Sequence, residues 1–133
     1  MIAIDKTENQ KFLQDSVTYV ENLGYENIKA DIEGYETPKS YSQKGTDFSV
    51  TPDIVGEKAG RKHYFEVSLK SAEPNQLKSK WRFLEVLTRM KDNRFKIITY
   101  RGHYKFTDDM LQDINLEKKP IKLSRRERRK RKP

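Results

Sequence analysis

Two carboxylates thirteen residues apart, Asp53 and Glu66, are the residues whose type and spacing could do chemistry. Each sits in a stretch of period two. Val50, Pro52 and Ile54 alternate with Ser49, Thr51 and Asp53, and Phe65, Val67 and Leu69 alternate with Tyr64, Glu66, Ser68 and Lys70. That period puts the apolar set on one face of a strand and the acids on the other. Between the strands, Glu57-Lys58-Ala59-Gly60 reads as a hairpin turn, with Gly60 at the position that needs positive φ. Antiparallel pairing through this turn holds Asp53 across from Glu66. Two carboxylates aimed at one point repel unless something positive lies between them. A hard divalent cation such as Mg²⁺, bound by one or two carboxylates plus a substrate phosphate, is the usual resident. The plainer reading leaves both acids solvated on the open face of a one-sided sheet, the common fate of strand acids.

The elements that must position the pair lie on either side of it. Thr7 and Gln10 form a capping-box arrangement that opens a helix. Leu13, Val17 and Val20, with Phe12, Ser16 and Leu23, give that helix an apolar stripe, and Gly24 ends it at about Leu23. Residues 26–35 alternate Ile28, Ala30 and Ile32 with Lys29, Asp31 and Glu33, which predicts a half-buried strand. Residues 34–47 lack a sustained pattern and are long for a connection, although the first strand can run on to Tyr41. Lys39, Ser40, Tyr41 and Lys44 combine cations with an aromatic ring there, as a loop over nucleic acid would, and an ordinary polar loop is an equal reading. Pro74 fits a first helical turn, and the helix runs to about Met90. Leu77, Trp81, Leu84 and Leu87 make its core stripe, so Trp81 reads as core. Lys78, Arg82, Glu85 and Arg89 read as a solvated opposite face with local charge pairs. Asn93 to Tyr100 is the next strand, and Thr107-Asp108-Asp109 caps a short helix through about Glu117.

Composition narrows the function classes. The chain has 133 residues, a formal charge of +8 and no cysteine. At this length, 34% apolar and 36% charged residues support one domain with a modest core. Residues 124–133 hold seven basic residues and one acid, leaving about +2 for the rest of the chain. A domain over 1–120 followed by a basic tail over 121–133, disordered on its own, is the expected organisation. Without cysteine there is no disulfide framework and no thiolate metal site. No signal peptide or bilayer-length apolar run is seen, so a soluble cytoplasmic protein without a membrane partner is expected. His63 and His103 are isolated, no Ser/His/Asp ordering stands out, and no glycine-rich phosphate loop or repeat occurs.

Pro52-Asp53, the acid at Glu66 inside an apolar strand, and a helix starting near Pro74 resemble the PD-(D/E)XK nuclease superfamily. The likeness is to the small forms related to archaeal Holliday junction resolvases and restriction endonucleases, and it covers about residues 7–100. It implies an α/β fold with a restriction endonuclease-like αβββαβ core, a mixed sheet flanked by helices. It also implies an endonuclease that hydrolyses phosphodiester bonds in branched or duplex DNA with Mg²⁺, for which Mn²⁺ can substitute. Asp53 and Glu66 would be the metal ligands, with the Val67 carbonyl as a further one. One departure concerns the family lysine, expected two residues after the acid, where this chain has Ser68 and the nearest lysine is Lys70. Ser68 and Lys70 therefore join Asp53 and Glu66 as catalytic candidates. Some superfamily members recruit a lysine or glutamine from the following helix, which here offers Gln76, Lys78 and Lys80. Many also add an acid from the first helix, where Glu8, Asp15 and Glu21 stand without a basis for choosing among them. Lys39, Lys44 and Lys78, with Arg125, Arg126, Arg128, Arg129, Lys130, Arg131 and Lys132 of the tail, are the nucleic-acid-binding candidates. A homodimer suits an enzyme that must cut two strands, and a larger nucleoprotein complex is the other assembly considered. Two alternatives stand beside the enzyme: an inactive nuclease-fold nucleic-acid-binding protein, motivated by Ser68, and a small RNA-associated basic protein, motivated by the tail.

Overall fold

The structure, a computed structural model, describes residues 6–124. The basic residues from Arg125 to Lys132, and the disorder expected of them, lie outside the described residues. At the centre is a hairpin of β4 (Ile54–Lys58) and β5 (Arg61–Ser68). Ala59 and Gly60 connect the strands with φ of 53° and 76°. Two positive values in a two-residue loop match the twist of the strands it joins, and glycine takes the second at no steric cost. The turn fixes register: Lys58 faces Arg61 and Ile54 faces Phe65, so the next residue back, Asp53, arrives beside Glu66.

β1 (Glu26–Ala30) pairs antiparallel with β4, with a bulge between Glu26 and Lys29 where Asn27 takes φ 51°. β6 (Arg94–Tyr100) and β7 (Ile121–Leu123) add parallel strands beyond β5, completing a five-stranded mixed sheet of order β1-β4-β5-β6-β7. Parallel neighbours require crossover connections. α2 (Pro74–Met90) supplies the first and α3 (Tyr104–Asp113) the second, while α1 (Lys6–Asn22) precedes the sheet. β2 (Tyr41–Ser42) and β3 (Ser49–Val50) form a separate small hairpin. The fold is α/β, a mixed sheet with three helices, and no helix among the described residues is long and apolar enough to cross a membrane.

Both faces of the sheet are covered. Against α1, Val17 and Val20 pack with Ile54, Phe65, Ile98 and Tyr100. On the other face Tyr64, Phe95 and Ile97 lie with Trp81 and Leu84 of α2 and Met110 and Leu111 of α3. Trp81 is 1% exposed, as its place in the stripe predicts. Truncating a fully buried side chain such as Leu84 to alanine costs about 2–5 kcal/mol, a large part of the ~5–15 kcal/mol that holds a domain together. Two covered faces leave no open side on which Glu66 could be solvated.

α2 has the bounds its Pro74 and apolar stripe predict, and α1 stops before Gly24, which takes φ 89°. Other expectations are corrected. Thr7 lies inside the first turn of α1 rather than capping it. β1 ends at Ala30, a turn follows in which the Tyr35 N–H donates to the Ile32 carbonyl, and Tyr41 belongs to β2. The strand expected across 49–54 is broken, with Val50 in the small hairpin and Ile54 in the main sheet; Pro52 between them has no N–H for a ladder. α3 starts at Tyr104, ahead of the expected Thr107 cap. The Thr107 hydroxyl is used inside the helix, donating to the His103 carbonyl at 3.1 Å and to Thr99 Oγ1 at 2.9 Å. Residues 121–123, expected in the tail, are strand β7, with Ile121 and Leu123 packed on the core beside α1.

Candidate active site

The break before β4 sets the position of Asp53. It sits on a bend at the end of the strand, level with Glu66 in the middle of β5. The Asp53 backbone N–H donates to Glu66 Oε2 at 2.9 Å, and the Val67 N–H donates to Asp53 Oδ2 at 2.8 Å. Each carboxylate thus has one oxygen held by the other segment's backbone. The remaining oxygens, Asp53 Oδ1 and Glu66 Oε1, converge on the Lys80 ammonium at 3.5 Å and 3.0 Å. An extended residue directs its N–H and C=O to the same neighbour, so the Val67 carbonyl faces the Asp53 side of β5 too.

Burial sets the electrostatics. The Glu66 side chain is 2% exposed, Lys80 21% and Asp53 32%. Desolvation first, and Asp53 second, push the Glu66 carboxyl up to about 8 against the opposing pull of Lys80. Burial acts to lower the Lys80 ammonium, but Glu66 and Asp53 outweigh it and leave it raised. Lys80 therefore stays charged at neutral pH, whereas the metal-free Glu66 carboxyl still holds its proton there.

The cluster opens into a cleft of about 290 Å³. Asn9, Gln10 and Leu13 of α1 form one wall, and Val67, Lys70 and Leu77 lie along the other side. The structure thus brings Asp53, Glu66, Val67 and Lys70 to one place. Lys70 is exposed beyond the end of β5, where its backbone N–H donates to His103 Nδ1 at 3.0 Å, and the lysine that touches both carboxylates is Lys80. Ser68 does not reach the cleft. It is 1% exposed, its hydroxyl lies 2.7 Å from Thr107 Oγ1, and its carbonyl accepts from Thr99 Oγ1 at 2.9 Å. Its hydroxyl bonds Thr107 of α3, which ties that helix to the sheet.

The other candidates scatter. Lys78 pairs with Asp113 of α3 at 3.1 Å. Lys39 lies 5.7 Å from the centre of the Tyr41 ring, and Lys44 lines a separate groove between α2 and the β2–β3 hairpin. Asp15 and Glu21 are half-buried on α1 and do not line the cleft. The side chain of Glu8 is outside the described residues, as are the tail's arginines and lysines. Among the described residues no group of three or more histidine, cysteine, aspartate or glutamate side chains forms a metal centre. The donor set is the two carboxylates and nearby backbone. Two hard oxygens turned toward one cation fit Mg²⁺, which commonly takes one or two carboxylates and completes its shell with water and phosphate.

Lys80 and the α1 amides Asn9 and Gln10 are what sequence reasoning underweighted. The signal for Lys80 is its place three residues after Leu77 and four before Leu84, on the edge of the buried stripe. A lysine there is rarely buried without a partner. No protein-family model, no curated protein and no solved structure matches this chain.

Proposed function

We propose that the protein is a metal-dependent endonuclease acting on phosphodiester bonds in DNA. The observation that carries this reading is the convergence of Asp53 Oδ1 and Glu66 Oε1 on one cation, the Lys80 ammonium, with both opposite oxygens anchored by backbone N–H groups. The element order supports it: α1, β1, β4, β5, α2 and β6 follow the helix, three-strand, helix, strand succession of a restriction endonuclease-like core. Asp53 and Glu66, with the Val67 carbonyl, would hold Mg²⁺ or Mn²⁺, which would supply an activated water and neutralise charge on the scissile phosphate.

The chain's own residues do the rest. The two backbone donors keep the carboxylates aimed without reorganisation at the moment of reaction. Lys80 takes the role of the lysine missing at Ser68, donating to a phosphate oxygen or to the attacking water from a position already beside both acids. Asn9 and Gln10 offer neutral donors and acceptors for positioning the substrate, and Leu13, Leu69 and Leu77 limit water in the cleft. A second reading, a nuclease fold kept for nucleic-acid binding without turnover, is favoured by Ser68 standing locked at the expected lysine position. A cleavage assay with Mg²⁺ and Mn²⁺ over branched, nicked, linear and single-stranded DNA separates them. The enzyme reading expects metal-dependent products that Asp53→Asn does not form. No product on any substrate with either metal leaves the binding protein.

A further inference from the structure

The surface beside the cleft continues past Lys80. A trough lined by Asn75, Gln76 and Ser79 of α2 and by Phe48, Ser49 and Thr51 shares Leu77 and Lys80 with the cleft. It shares Phe48 and Ser79 with a groove of about 770 Å³ between α2 and the β2–β3 hairpin. The floor of that groove is apolar. The Phe48 and Phe83 rings meet edge to face with centroids 5.6 Å apart, and Val86 and Met90 toward its end are 57% and 79% exposed. Lys44 and Arg82 line it, and no acid does.

Neither cation forms an ion pair among the described residues, whereas Lys78 is held by Asp113 and Arg89 by Glu85 on the same helix. The hairpin that makes the second wall is anchored, since the Tyr41 and Tyr64 hydroxyls lie 2.8 Å apart. The groove is therefore built before anything enters it.

We propose that this groove takes an unpaired arm of the DNA substrate, with the backbone passing Lys80 and bases resting on Phe48 and Phe83. The inference rests on the nuclease reading of the carboxylate cleft and narrows its substrate to branched or flapped DNA carrying a single-stranded arm. Three features select this occupant. The first is continuity, because the trough joins the groove to the place where a phosphate would be cut. The second is charge, two unneutralised cations facing a polyanion. The third is the aromatic floor, the half-buried Phe48 and Phe83 beside the two cations, since aromatic rings next to cations are how single strands are bound without sequence preference. Bases inside a duplex have their faces covered and cannot use it. The span fits as well: from Lys80 to Met90 is about 15 Å along the helix, room for a few nucleotides even when spaced more widely than the ~3.4 Å of a duplex strand. Asp47 also lines the trough and repels the strand as it passes.

The test is fluorescence anisotropy with the full chain in EDTA, comparing a duplex that carries a short oligothymidine arm with the same duplex lacking it. The armed probe should bind about tenfold tighter, the scale of base stacking on an aromatic residue. Phe83→Leu, which keeps the apolar packing, should lose most of that preference. Arg82→Glu should abolish it, and Asp47→Asn should strengthen it. Equal affinity for both probes, or a preference unchanged in both Phe83→Leu and Arg82→Glu, overturns the inference. Self-association by sedimentation that Arg82→Glu disrupts, without an arm preference, assigns the groove to a second copy of the chain and also overturns it. The nuclease reading fails separately: an arm preference without cleavage under any metal removes that reading and leaves the groove's occupant standing. Metal-dependent cutting of continuous duplex without arm preference does the reverse.

Discussion

At the N-terminal half of α2, Lys80 is 21% exposed and lies against two carboxylates. Ten residues on, Met90 is 79% exposed at the end of a groove where Arg82 has no acidic partner among the described residues. One helix thus carries a closed ionic cluster and an open apolar surface. In the cluster all four carboxylate oxygens contact a donor, so it holds one geometry and tolerates little change. In the groove, the rings pack on each other and on the core beneath them, and the cations gain an ionic partner only from what arrives. The first arrangement suits chemistry, which needs charges fixed in advance, and the second suits recognition, which can be loose.

The sharpest way to break this contrast is Glu66→Ala. It should reduce cleavage by at least about a thousandfold and cost about 1–3 kcal/mol of stability, because the buried Asp53 N–H and the Lys80 ammonium lose the oxygens they bond. Val86→Ser, at the open end, should stay within about 0.5 kcal/mol of the parent in the same denaturant titration. Similar losses at both ends would erase the distinction.

Next in size is Lys80→Met, expected to slow cleavage about a hundredfold with DNA affinity nearly unchanged, the scale of a positioned proton-transfer or charge-stabilising group. Lys70→Ala should cost less than about tenfold. The opposite ranking would return the lysine role to Lys70.

A pH series sharpens the same point. Glu66 in the fold is raised to about 8 from an ordinary value of 4.5, so between those values the folded state holds the extra proton. Its contribution to stability is complete below the lower value and is lost as pH rises through the upper one. The denaturation midpoint of the metal-free protein should therefore fall from about pH 5 to pH 8, and Glu66→Gln should flatten the slope. A profile that the glutamine leaves unchanged would place the titrating group elsewhere. Smallest of all is Arg89→Ala, which removes an exposed pair with Glu85 and should change stability by only about 0.3–0.5 kcal/mol.

The hairpin and its acids were legible because alternation and a two-residue turn leave one register that buries the apolar side. α2 was legible because Pro74 starts it and Leu77, Trp81 and Leu84 repeat at helical spacing. Lys80 was only half visible. Its position on the buried edge is in the sequence, but the anions that hold it come from β5 and the bend before β4, and only the crossover brings them together. Thr107 misled because a threonine before two aspartates has the composition of a cap, whereas its hydroxyl is spent on Thr99 and His103. Ile121-Lys122-Leu123 is too short to show a period and sits among lysines, so its parallel pairing with β6 was not visible. The Phe48–Phe83 groove also escaped, since its two walls are distant in sequence.

The central claim is that Asp53 and Glu66 share one divalent cation, and metal binding tests it without depending on substrate. Mn²⁺ titration followed by electron paramagnetic resonance should show one bound ion in the parent protein, loss of that site in Asp53→Asn and in Glu66→Gln, and retained or tighter binding in Lys80→Met, where the competing ammonium is gone. Binding that survives both carboxylate substitutions, or no bound ion in either the parent or Lys80→Met, would contradict it.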